Sequence, residues 1–134
     1  MIPIKYLPRN DSLLNHNLGG RITSKNRGEY GLSKVNFNNK NEIFSGLSKS
    51  SNVWMSHGDE VESIGDDWDM IGESDNGIIA ALQYKGKPFY GVQFHPEVAH
   101  TEEGSKIISN YLFKISKCRP SWTSSNFISE SIEK

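Results

Sequence analysis

A chain of 134 residues with 35% hydrophobic residues and a mean hydropathy of −0.57 holds one domain at most, with enough apolar material for a real but moderate core. Its net charge of −1 gives no global attraction for nucleic acid. No apolar run approaches the ~18 residues of a membrane span, so neither partner is expected.

Residues 1–17 carry Pro3, Pro8 and scattered Asn without a clean period, and read as irregular. They have no long apolar core or small-residue cleavage site, so a signal peptide is not expected. Gly19-Gly20 punctuates the chain, and residues 21–23 begin a short strand. Residues 26–31 read as a loop leading into Leu32-Ser33-Lys34-Val35-Asn36-Phe37, which alternates like a half-buried strand. A polar turn over 38–41 precedes a single helical turn at 43–47. Ser51-Asn52-Val53-Trp54-Met55 forms the next strand and runs into Ser56-His57-Gly58-Asp59. The acidic residues that follow (Asp59, Glu60, Glu62, Asp66, Asp67 and Asp69) read as a solvated loop.

Residues 78–84 and 88–94 flank Lys85-Gly86-Lys87 as the arms of a hairpin. Thr101-Glu102-Glu103 then opens a helix with Ile107, Ile108, Tyr111, Leu112 and Ile115 on one stripe. Acidic residues in its first turn and Lys114 and Lys117 near its end suit the macrodipole. A short amphipathic pattern through Trp122, Phe127-Ile128 and Ile132 ends the chain.

The strongest chemical signal is His95 and Glu97 in the run Gly91-Val92-Gln93-Phe94-His95-Pro96-Glu97-Val98. Side chains two apart on an extended segment face the same side. A carboxylate beside an imidazole fixes its tautomer and stabilises its charged form, as a general base requires. Such a base serves a nucleophile, and the single cysteine, Cys118 in Ser116-Lys117-Cys118-Arg119-Pro120, lies in the wrong kind of place. One cysteine also permits no internal disulfide, which suits a reducing cytoplasm. His57, Asp59, His95, Glu97 and His100 match no strong metal-ligand spacing, so no metal is expected. Trp54, Tyr90 and Phe94 read as core residues.

Trp54-Met55-Ser56-His57-Gly58-Asp59-Glu60-Val61, together with the run around His95 and His100-Thr101, resembles the class I glutamine amidotransferases, and within them the GMP synthase branch. Leu18-Gly19-Gly20, Glu29-Tyr30-Gly31, Ser74-Asp75-Asn76, Trp122-Thr123 and Phe127-Ile128 fall in family order. The resemblance runs from about Leu18 to the end of the chain. It implies an α/β fold, a flavodoxin-like open sheet with helices, lacking its N-terminal strands. It divides the chain into a divergent segment 1–17, a partial amidotransferase domain 18–118 and a linker 119–134 towards an absent ATP pyrophosphatase domain.

In that family a Cys-His-Glu triad forms a glutamyl thioester, and the ammonia released aminates XMP to GMP in a synthetase domain. The resemblance implies that His95 and Glu97 are the triad base and its carboxylate, and that Ser56 and His57 lie beside the glutamine backbone groups. No cofactor is expected in this chain, since ATP and Mg belong to the missing synthetase domain. The expected partners are glutamine and a separate synthetase chain, in the cytoplasm. Family homodimers form through the absent domain.

The chain departs from the family pattern where the nucleophile should be. The family's Gly-x-Cys-x-Gly elbow falls near Tyr6-Leu7-Pro8-Arg9-Asn10, which holds neither Cys nor Gly. The elbow needs small residues because the nucleophile occupies a strained strand-to-helix turn beside backbone oxyanion donors. Three readings follow: a remnant that is inactive by itself and encoded by a degraded gene, a subunit whose cysteine comes from another polypeptide, or a non-catalytic glutamine-binding regulator. A sheet without its first strands is also expected to show an unpaired edge and an uncovered apolar face, with marginal stability.

Overall fold

The computed structural model describes residues 19–23 and 28–120. Expectations for residues 1–17, the missing elbow, and the tail through Trp122, Phe127 and Ile132 lie outside them. Strand β1 is Arg21–Thr23, β2 Glu29–Phe37, β3 Ser50–His57, β4 Glu60–Ser63, β5 Trp68–Ser74, β6 Ile79–Tyr84 and β7 Tyr90–Val92. A 3₁₀ turn spans Glu42–Phe44, helix α1 spans Gly104–Ser109, and a wider π turn continues it over Asn110–Ile115.

Five strands form one sheet in the order β3-β2-β5-β6-β7, while β1 and β4 pair separately. Every strand pair among the described residues is antiparallel. The links are short: four residues join β5 to β6 and five join β6 to β7, whereas a parallel pair would need a crossover of a dozen or more. The mixed α/β expectation therefore takes the form of a curled antiparallel sheet with one helix against it.

The sheet curls far enough that its two ends meet. Met55 on β3 bridges Phe94, just beyond β7, and the His95 N–H donates to the Trp54 carbonyl at 2.9 Å. The expected unpaired edge is thus engaged at the residues that matter for the site. On β2, Tyr30 is 73% and Leu32 62% exposed.

The core follows from alternation. On β3, Ser51, Val53, Met55 and His57 turn inward, while Asn52 and Ser56 face out. Val35, Met55, Phe94 and Ile107 pack with Ile43 and Phe44 of the 3₁₀ turn. Phe37 and Phe44 stack at 4.5 Å between centroids, an arrangement worth about 0.5–1.5 kcal/mol beyond its buried area.

Three sequence expectations are corrected. The acidic stretch is not simply a loop: Glu60–Ser63 is a strand that buries Val61 against Trp68 and Leu82, with its acids on the alternate positions. Residues 29–31 belong to β2 and not to a preceding loop. The helical stripe is narrower than expected, because Ile107 and Tyr111 are buried and Ile115 partly so, whereas Leu112 is exposed. The π turn explains this. Residues four apart drift about 40° per step on an α-helix, and the wider turn takes up that drift, aligning 107, 111 and 115 and rotating Leu112 outward.

Candidate active site

His95 follows β7 by three residues and is fixed from both sides. Its N–H donates to Trp54, and its carbonyl accepts from the Thr101 hydroxyl at 2.5 Å. The same hydroxyl oxygen accepts from the Trp54 N–H at 3.0 Å. Both backbone groups of Trp54 are therefore held by the segment that carries His95, and Thr101 is 5% exposed. The Trp54 and His100 rings meet at 4.8 Å, so Trp54 packs over this turn and is half-buried, not a core residue as expected. Tyr90 and Phe94 are in the core.

The start of α1 is welded to the same strand. Glu102 accepts from the Asn52 N–H at 3.0 Å, the Asn52 amide at 2.9 Å and the Ser51 hydroxyl at 3.2 Å. The Asn52 bonds hold the Glu102 carboxyl below its usual 4.5, because hydrogen bonds to the charged form favour it. Gly104 packs against Pro96 so closely that a Cβ there would collide with the Pro96 carbonyl.

Within this frame His95 Nδ1 lies 3.0 Å from Glu97 Oε1, with the His95 side chain 21% and the Glu97 side chain 50% exposed. The pair sits at the surface, and the contact is made across a turn, not along a continuous strand. A carboxylate against Nδ1 is the arrangement that fixes an imidazole's tautomer and orientation.

Ser56 and His57 are separated by the strand they share. Ser56 is exposed, and the register that sets Met55 against Phe94 places it two residues along from Trp54, the partner of His95. His57 points the other way and is 5% exposed. Its Nδ1 donates to the Asp59 carbonyl at 2.9 Å, and its Nε2 lies 3.6 Å from Glu29 Oε2. Cys118 follows the π turn, its N–H donating to the Leu112 carbonyl at 2.8 Å. The helical segment carries it roughly 15–18 Å from Gly104, and Gly104 is the residue beside Pro96. Among the described residues no three His, Cys, Asp or Glu side chains converge as a metal would require. No helix among them is long and apolar enough to cross a membrane.

Sequence reasoning missed Glu29, 7% exposed, as a partner of His57. Glu29-Tyr30-Gly31 and Ser74-Asp75-Asn76 stood in family order, but nothing local showed that they meet.

Residues 12–115 match the family model described as glutamine amidotransferase class-I. The GMP synthase of Brachyspira hyodysenteriae is 39% identical over 133 residues, covering 99% of this chain and 26% of that protein. The GMP synthase of Francisella philomiragia is 43% identical over 116 residues, covering 86% and 22%. This chain thus spans about a quarter of the length of the curated relatives it matches.

Among solved structures, a Thermoplasma acidophilum protein described as one subunit of a GMP synthase superposes with a TM-score of 0.69 and 32% identity, over 73% of this chain and 49% of that one. A glutamine amidotransferase from Thermotoga maritima shares the fold, with a TM-score of 0.57 at 23% identity over 78% and 44%. The chain belongs to the class I glutamine amidotransferase family.

Proposed function

We propose that this chain carries the base and its orienting carboxylate for glutamine hydrolysis in a GMP synthase-type amidotransferase. His95 is the base, Glu97 fixes its tautomer, and Ser56 contacts the glutamine. The single observation that carries this reading is the 3.0 Å contact between His95 Nδ1 and Glu97 Oε1, framed by backbone bonds from β3 in a chain of this family.

The chemistry needs a thiol. In the family's route His95 takes the thiol proton, the thiolate attacks the glutamine carboxamide carbon, and the imidazolium returns the proton to the leaving ammonia. Water then cleaves the thioester to glutamate. Cys118, at the far end of the helix, is not that thiol. The nucleophile is supplied by polypeptide outside this sequence, and the 134 residues alone release no ammonia from glutamine. The acceptor chemistry, ATP-dependent amination of XMP, belongs to a synthetase partner in the cytoplasm, and ATP and Mg are its requirements, not this chain's.

His57 supports the reading from behind and not by touching glutamine, since its ring is turned inward. Titration of the isotope-labelled chain with glutamine to tens of millimolar tests the ligand assignment. Resonances of Ser56 and His95 move together under this reading, and spectra unchanged throughout would refute it.

A further inference from the structure

Two family-order motifs have no role in the chemistry above, yet the fold brings both to His57. Glu29 opens β2 and is almost fully buried, and its Oε1 accepts from the Ser74 hydroxyl at 3.1 Å and from the Asn76 amide at 2.7 Å. Its Oε2 faces His57 Nε2 at 3.6 Å, and neither atom has a hydrogen-bond partner among the described residues. That spacing is an ion-pair contact and too long for a hydrogen bond. The Asp59 carbonyl and the Glu29 carboxylate can only accept, so the ring satisfies both when each of its nitrogens carries a hydrogen.

The cluster continues to the site. The Asp59 carbonyl that accepts from His57 also accepts from the Gln93 amide at 3.1 Å, and Gln93 stands two residues before His95. Gly28 lies against the same turn, where a Cβ would come within 2.5 Å of the His57 carbonyl oxygen.

We propose that Glu29 is a positioning residue, whose buried carboxylate ties His57, Ser74 and Asn76 into one lock that sets the turn at 56–59 relative to the His95 segment. The physical reason is the cost of an unpaired buried charge. Once Glu29 and His57 are both buried, each is destabilising without the other, so the pair admits one arrangement of the turn and disfavours its alternatives. Ser74 and Asn76 satisfy the remaining carboxylate oxygen and anchor it to the β5–β6 turn. The lock itself rests on geometry alone, and its consequence for glutamine rests on the function proposed above.

The test uses the full chain with Glu29→Gln and Glu29→Ala. Glu29→Gln keeps an oxygen for Ser74 and Asn76 but offers an N–H to His57. Nitrogen NMR of the ring is expected to show a shifted Nε2 signal, because that atom then faces an N–H and not a carboxylate oxygen, and identical ring signals in both proteins would overturn the pairing. Glu29→Ala is expected to speed amide exchange at 56–59 by about tenfold or more while leaving β6 unchanged. Uniform acceleration throughout the chain, or none, would overturn the lock.

Glutamine affinity provides the third readout, with a loss of about fivefold or more expected in Glu29→Ala and an unchanged affinity refuting the positioning role. Should the unsubstituted chain bind no glutamine, the proposed function falls, while ring signals and exchange still decide the lock.

Discussion

Thr101→Val removes one hydroxyl and leaves shape nearly unchanged, which makes it a sharp probe of how His95 is held. The hydroxyl accepts from the Trp54 N–H at 3.0 Å and donates to the His95 carbonyl at 2.5 Å, and valine strands both groups beside a residue that is 5% exposed. Leaving a buried donor or acceptor unpaired costs about 1–3 kcal/mol, and the added methyl recovers at most about 0.8 kcal/mol. With both groups stranded the net loss is about 1–5 kcal/mol, which lowers Tm by roughly 3–20 °C in a domain of this size. Urea unfolding of the wild type, Thr101→Val and Thr101→Ser measures it. Serine keeps both bonds and loses one methyl, so it is expected to cost about 1 kcal/mol or less. A valine variant within about 0.5 kcal/mol of wild type, or a serine variant as damaged as valine, would refute the reasoning.

Gly104→Ala should destabilise by about 1–3 kcal/mol despite alanine's better helix propensity, because its Cβ must displace the Pro96 carbonyl; a urea midpoint at or above wild type would show that the turn yields freely. Glu102 is held low by Asn52, so its contribution is present above the unfolded carboxylate range and lost as pH falls through the lower folded value. Glu102→Gln should accordingly flatten the decline of stability on the acid side of pH 4.5, and parallel wild-type and variant curves there would contradict this. Tyr90 is pushed up from 10.0 by burial, by the Glu42 carboxylate and by Tyr111. Its contribution is therefore complete below pH 10 and declines as pH rises towards the folded value, a loss that Tyr90→Phe should reduce in alkaline unfolding curves.

Strands β3 and β6 and the hairpin at Lys85-Gly86-Lys87 were legible because alternation and turn chemistry are local. β5 was not, because register shifts between Met70 and Gly72 and between Gly72 and Glu73 break the two-residue period on which such reading depends. The strand at Glu60–Ser63 was masked by its charge, although Val61 flanked by Glu60 and Glu62 already alternates. The π turn left no mark, since 107, 108, 111, 112 and 115 fit an ordinary helix equally well.

The contact between His95 and Glu97 was legible from residue type and spacing. Ser56 and His57 are neighbours on a strand and so face opposite sides, which leaves Ser56 exposed and His57 buried. Glu29 was beyond reach, since its partners are 28, 45 and 47 residues away and only the folded sheet brings them together.

The central claim is tested most directly by measuring ammonia release from glutamine when this chain is mixed with a polypeptide bearing the Gly-x-Cys-x-Gly elbow of a GMP synthase relative. The account predicts no release by the chain alone, release in the mixture, and its loss on His95→Ala but not on Cys118→Ser. Release that survives His95→Ala, or release by the isolated chain that vanishes on Cys118→Ser, would contradict it.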